Sequence, residues 1–164
     1  MGNYALFAGG GSASDKVDAY NTSLTRITPT SLSKGRWGLA GASVGNYALF
    51  AGGYGDGDDL STVDAYNTSL TRSTPTALTN AKRFFAGASV GDYVLFAGGT
   101  DYTGSVDAYN TSLTRITPAA LGERRYSLAG ASVGNYALFA GGRRSPGTTA
   151  MVDAYNTSLT RSTP

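Results

Sequence analysis

Three carboxylates, Asp56, Asp58 and Asp59, stand within four residues of one another in the glycine-rich stretch YGDGDDLST. Oxygen ligands this closely spaced are what a hard cation such as Ca²⁺ takes. The stretch lacks the ligand spacing and closing Glu of an EF-hand loop, so a solvated acidic turn is the simpler reading. Paired cations at Lys82-Arg83, Arg124-Arg125 and Arg143-Arg144 offer charge-assisted hydrogen bonds to carboxylate or phosphate, and ordinary surface is again the simpler reading. Trp37, Tyr54, Phe84, Tyr102 and Tyr126 offer flat rings that stack on a sugar or a peptide. Trp37 could equally cover the nearby Leu32 and Leu39.

Catalytic chemistry has little to draw on. The 164 residues include no cysteine and no histidine. Thiolate nucleophiles, disulfides, cysteine metal sites and imidazole bases are thereby excluded. Glu123 is the one glutamate, and Asp18, Asp64, Asp107 and Asp153 recur with the repeats described below, which suits a structural hydrogen-bonding position better than a carboxylate pair for glycoside chemistry. The expectation is a protein without enzymatic activity and without a cofactor. A formal charge of +2 gives no reason to expect nucleic acid as a partner. No apolar run approaches the ~20 residues of a membrane span, and the first twenty residues do not read as a signal peptide, which leaves the cytoplasm as the default location. Asn21, Asn67, Asn110 and Asn156 each match the N-x-Ser/Thr acceptor pattern, but a turn role explains them without glycosylation.

The elements that must position these residues are set by internal repetition. YALFAGG begins at Tyr4, Tyr47 and Tyr136, and returns as YVLFAGG at Tyr93. VDAYNTSLTR begins unchanged at Val17, Val63, Val106 and Val152, and AGASVG begins at Ala40, Ala86 and Ala129. Four units of about 45 residues fill one domain over 1–164, with approximate limits 1–35, 36–81, 82–124 and 125–164. The stretch between diglycine and valine is alternately six and nine residues long, so the full period is a pair of units, 89 residues. Near-identity of this degree points to recent duplication or to deliberate design.

Each unit reads as four short strands. Strand a is AGASV, and Gly-Asn or Gly-Asp after it suits a two-residue hairpin turn. Strand b, YALFA, is almost continuously apolar, as a strand covered on both faces should be. Strand c, VDAYN, alternates, with Val17 and Ala19 on one side and Asp18 and Tyr20 on the other. After the Asn-Thr-Ser turn, strand d is expected over LTRIT or LTRST, ended by a proline. Four antiparallel strands per ~45 residues is the pattern of an all-β fold, a β-propeller of four four-stranded blades packed face to face. Small residues in strand a suit a crowded centre; Leu49, Phe50 and Tyr20 suit the wider space between blades.

These blocks resemble the kelch repeats. An apolar second strand runs into the diglycines Gly9-Gly10, Gly52-Gly53, Gly98-Gly99 and Gly141-Gly142, and the third-strand tyrosines are Tyr20, Tyr66, Tyr109 and Tyr155. The basic residue leading into the next blade is Arg36, Lys82 or Arg125. The tryptophan usual in the kelch fourth strand is replaced by Leu24, Leu70, Leu113 and Leu159, which points to a divergent bacterial or phage-type repeat, or a design built on one. The resemblance implies a non-catalytic scaffold; the kelch-like copper oxidases need histidine and cysteine ligands that this chain lacks.

The first unit begins at strand b, so fifteen strands are expected and the ring is not obviously closed. A four-bladed monomer, an eight-bladed homodimer and a piece of a longer array are all compatible with this count, and open edges favour association of copies. Strand directions place the loops after strand b and the linkers after strand d on one end, where nearly all variation between units lies. A partner, protein or glycan, would be met there by Trp37, Tyr54, Arg83, Phe84, Tyr102, Arg125, Tyr126, Arg143 and Arg144. The plain alternative is a ligand-free scaffold whose loops have drifted.

Overall fold

The computed structural model describes residues 2–100 and 104–164. The first sheet contains β1 (Tyr4–Ala8), β2 (Val17–Asn21) and β3 (Arg26–Ile27). The second opens with β4 (Ala40–Val44) and β5 (Tyr47–Ala51); a separate hairpin of β6 (Tyr54–Gly55) and β7 (Asp58–Asp59) follows, and β8 (Val63–Tyr66) and β9 (Arg72–Ser73) complete the sheet. The third consists of β10 (Ala86–Val90), β11 (Tyr93–Ala97), β12 (Val106–Asn110) and β13 (Arg115–Ile116). The fourth consists of β14 (Ala129–Val133), β15 (Tyr136–Ala140), β16 (Val152–Asn156) and β17 (Arg161–Ser162). Neighbouring strands are antiparallel in every case, so the fold is all-β, built of repeated antiparallel sheets. The β6–β7 hairpin and a short 3₁₀ turn at Gly11–Ala13 were not legible as periodic patterns.

Both hairpin types follow from their residues. Val44 pairs with Tyr47 across Gly45-Asn46, and Gly45, Gly91 and Gly134 take φ of 50°, 51° and 51°, the left-handed backbone that a tight turn asks of its first residue. At the other turn Asn21 Oδ1 accepts the amides of Ser23 and Thr25, and Asn67, Asn110 and Asn156 repeat the arrangement. The expected strand d is corrected here: only Arg26–Ile27 and its equivalents pair. Leu24, Leu70, Leu113 and Leu159 lie in the turn at φ of 57°, 60°, 60° and 59°. A three-residue loop ending in a left-handed residue closes the hairpin, and here a leucine fills the position that glycine usually takes.

The core lies between successive sheets. Leu49, Ala51, Val63 and Ala65 of the second sheet pack against Val94, Phe96 and Tyr109 of the third. Leu95, Ala97, Val106 and Ala108 of the third repeat this against Ala137, Phe139 and Tyr155 of the fourth. Between first and second sheets, Val17, Leu6 and Ala8 meet Ala48, Phe50 and Tyr66, with Leu32 of the linker. Contacts between the four-stranded sheets gather on their first strands, β4 with β10 and β10 with β14. Glycine permits this closeness: a Cβ on Gly130 would stand 2.7 Å from the Gly87 carbonyl oxygen. Ser89 Oγ donates to the Ser43 carbonyl, and Ser132 Oγ to that of Ser89, tying the same three strands together.

The base of each loop after strand b is clamped identically whatever its length. The amides of Gly9, Gly52, Gly98 and Gly141 donate to the carbonyls of Lys16, Thr62, Ser105 and Met151, the residues just before each strand c.

Candidate functional site

Each linker is held by a buried cation. Arg36 Nη2 donates to Asp64 Oδ2 at 2.7 Å and to the Phe50 carbonyl at 3.1 Å; Arg125 Nη2 meets Asp153 Oδ2 at 2.7 Å and the Phe139 carbonyl at 2.9 Å. Lys82 Nζ lies 3.4 Å from Asp107 Oδ2. All six side chains are fully buried. Burial lowers the Lys82 pKa, and the charge of Asp107, together with its hydrogen bond, opposes the shift. Asp64, Asp107 and Asp153 are thus the structural hydrogen-bonding positions that their periodicity predicted, whereas the fourth of the set, Asp18, is partly exposed and, among the described residues, meets only Arg26 Nε at 3.8 Å. Arg125 is corrected: it is no surface cation but an internal partner of Asp153, out of reach of a ligand. The tyrosines of strand c add a second pin, since Tyr66, Tyr109 and Tyr155 donate to the linker carbonyls of Thr30, Thr76 and Ala119.

The residue after each buried cation meets the residue after the diglycine of its own unit. Trp37 and Tyr54 exchange backbone hydrogen bonds at 3.1 and 2.8 Å, and Tyr126 and Arg143 do so at 3.0 and 2.8 Å. Thr100 donates its amide to the Arg83 carbonyl, and its hydroxyl oxygen accepts the Arg83 amide. One position further on, Gly38, Phe84 and Ser127 are all left-handed, and the amides of Phe84 and Ser127 donate to the carbonyls of Gly38 and Phe84. Two neighbouring units are thereby brought together at the loop end.

Trp37, Tyr54, Arg83 and Phe84, far apart in sequence, form one cluster there. The Arg83 guanidinium carbon lies 4.4 Å from the Tyr54 ring centre, 5.3 Å from that of Trp37 and 5.6 Å from that of Phe84. Ring centres of Trp37 and Tyr54 are 5.3 Å apart, and those of Trp37 and Phe84 are 5.5 Å apart. Arg83 Nη1 donates to Asp59 Oδ1 at 2.6 Å, and Thr100 Oγ1 donates to Asp59 Oδ2. Contact of this kind between a guanidinium and aromatic faces is worth about 0.5–2 kcal/mol. Its charge is neutralised from within by Asp59, so the surface offered outward is chiefly aromatic: Phe84 is exposed, Trp37 and Tyr54 are half-buried. Thr100 was not among the residues singled out from sequence; its place after a diglycine, matching Tyr54, was the available signal.

The weaker of the two readings of Asp56, Asp58 and Asp59, a Ca²⁺ site, finds no support in their placement. Asp59 is engaged by Arg83 and Thr100, Asp56 lies 3.3 Å from Lys34 Nζ, and Asp58 Oδ1 accepts the Asp59 amide. The three carboxylates therefore serve different partners instead of forming one oxygen cage. In the fourth unit, exposed Arg124 and Arg144 border a depression of about 270 Å³ with Glu123 and Ser145, and Arg144 Nε stands 3.6 Å from Glu123 Oε2. Arg143 is exposed and Tyr126 half-buried beside it. Tyr102 lies outside the described residues. No protein-family profile and no curated protein matches the chain.

Proposed function

We propose that this chain is a non-catalytic, kelch-like β-propeller module that presents its varied loop end to a protein or glycan and associates with copies of itself through its outermost sheets. The gathering of Trp37, Tyr54, Arg83 and Phe84 carries the reading: the end on which the units differ is also where rings from two units make one platform. Binding residues concentrate on loops over a rigid scaffold, and rings with polar rims are the usual anchors. The propeller form is supported by the crowding of first strands through glycine and by the repeated face-to-face packing. Association is supported by the apolar faces left at either end, where Phe7 is 64% and Val133 60% exposed.

A glycan and peptide array probed with the parent chain and with Trp37→Ala and Tyr54→Ala tests the binding half. Signal lost in both variants is expected; absence of any signal above background overturns it. For association, light scattering is expected to give a multiple of the 16.8 kDa chain mass. Phe7→Asp and Leu138→Asp should each give single chains, and mixing the two should restore one joint, because the faces are different and each variant keeps one intact. A ligand-free scaffold is the second reading, favoured by the internal neutralisation of Arg83.

A further inference from the structure

Asp64, Asp107 and Asp153 each staple a linker at two points. One oxygen accepts the backbone amide of Ser33, Thr79 or Gly122, and the other takes the buried cation three residues on. The dipeptide between the two points differs in each unit: Lys34-Gly35, Asn80-Ala81 and Glu123-Arg124. At Gly35 the space is closed, since a Cβ there would stand 2.0 Å from the Ala13 carbonyl oxygen, and one on Gly55 would stand 2.2 Å from that of Gly35. In the fourth unit the equivalent place holds Arg124 and stays open, as the depression of about 270 Å³ lined by Glu123, Arg124, Arg144 and Ser145. Its far bank is held as well. Arg143 bridges Thr148, and the Arg144 amide donates to the Gly147 carbonyl at 2.9 Å, closing the turn that carries Arg144 and Ser145.

Two guanidiniums on opposite banks against one carboxylate leave this depression with positive charge in excess. Arg124 is exposed and, among the described residues, makes no ion pair, so its fork is open to an anion. Glu123 Oε2 is buried yet accepts no hydrogen bond among the described residues, and Arg144 Nε, at 3.6 Å, is beyond hydrogen-bond reach. A buried acceptor without a donor is costly, and a ligand hydroxyl would satisfy it. We propose that this depression binds a hydroxylated carboxylate, the chemistry of an acidic sugar residue. Arg124 and Arg144 take the carboxylate, and Glu123 Oε2 accepts from a neighbouring hydroxyl. A guanidinium fork matches a planar carboxylate with two parallel bonds, whereas Glu123 repels an anion that brings no donor. The volume falls just below that of pockets for drug-sized ligands, which suits a single sugar unit. The proposal rests on the reading that the loop end meets ligands, but it uses no residue of the aromatic cluster.

The test titrates the whole chain with D-glucuronate, acetate, D-glucose and inorganic phosphate, followed by backbone amide NMR shifts. Saturable glucuronate binding is expected in the millimolar range, roughly tenfold tighter than acetate, with glucose giving no shift. Arg124→Ala and Arg144→Ala should each weaken glucuronate roughly tenfold or more. Glu123→Ala should tighten acetate by removing a like charge, while cutting the advantage of glucuronate over acetate to about threefold or less. Acetate or phosphate binding the parent chain as tightly as glucuronate would mean a site for anions alone, and overturns the proposal. So does failure to saturate by about 50 mM glucuronate, or an affinity unmoved by both arginine variants. The array with Trp37→Ala and Tyr54→Ala reads the aromatic cluster separately: a silent array with saturable, arginine-dependent glucuronate binding removes the cluster reading and supports this site.

Discussion

The segment Tyr-Ala-Leu-Phe-Ala forms β1, β5 and β15, and it is surrounded differently each time. In β5, Ala48, Leu49, Phe50 and Ala51 are all buried, because a sheet covers each face. In β1 the Leu6 side is covered, while Ala5 and Phe7 are exposed. In β15 the order reverses: Ala137 and Phe139 are buried, while Tyr136 is exposed and Leu138 half-covered. The outermost sheets therefore display the two halves of a joint that the interior of the chain makes three times. Burial in this molecule is decided by what a neighbouring unit supplies, since the residues themselves are the same. The buried charges follow the same rule: Asp153 and Asp18 occupy one position, and only the former has a cation ahead of it.

The sharpest way to break the comparison is to truncate the same ring in two settings. Phe96→Ala should cost about 3–5 kcal/mol in urea unfolding, since it empties a joint between sheets. Phe7→Ala should cost under about 1 kcal/mol, mostly its edge-on contact with Tyr20. A Phe7→Ala cost that rises with protein concentration would mean that a second copy covers that face. Next in size, Asp153→Asn leaves Arg125 buried without its counter-ion and should cost about 3 kcal/mol. Asp18→Asn should fall within about 0.5 kcal/mol.

Alkaline unfolding offers a third contrast. Burial, reinforced by Asp64, Asp107 and Asp153, raises the pKa values of Tyr66, Tyr109 and Tyr155 well above their ordinary value of about 10. A raised folded-state value means that the contribution is intact below pH about 10 and is lost as pH climbs toward the folded value. Stability should thus decline from about pH 10 upward, and tyrosinate absorbance should show three rings that do not ionise before the chain unfolds. Tyr66→Phe should reduce the alkaline slope. The smallest effect is expected at Leu24, 80% exposed in a left-handed turn: Leu24→Asn should gain about 0.5 kcal/mol by relieving the backbone. Leu113→Asn should instead lose stability, because Leu113 packs into the joint with the second sheet.

Much of the architecture was written plainly in the chain. The recurrence of AGASV, YALFA and VDAYN located strands a, b and c, and the alternation in VDAYN assigned Val63 and Ala65 to one face and Asp64 and Tyr66 to the other. Strand d was misjudged because LTRIT reads as an extended run, whereas the asparagine bonds to Ser23 and Thr25 bend its first residue back. The aromatic cluster was legible only as separate candidates. Trp37 and Phe84 lie in different units, and what joins them is backbone pairing between equivalent positions, which periodicity alone does not reveal. Arg125 looked like half of a surface pair because its neighbour Arg124 is one; the three-residue offset to strand a, shared with Arg36 and Lys82, marked it as different.

The clamp at the foot of each loop has a practical consequence. Gly9 and Gly98 close six residues, Gly52 and Gly141 close nine, and the same bond seals both spans. Sequence inserted beyond that seal does not disturb the strands beneath, and doubling such a span costs only about 0.6 kcal/mol of closure entropy. Four grafting ports of adjustable size thus open toward one side of the molecule, each able to take a foreign peptide while the framework keeps its register.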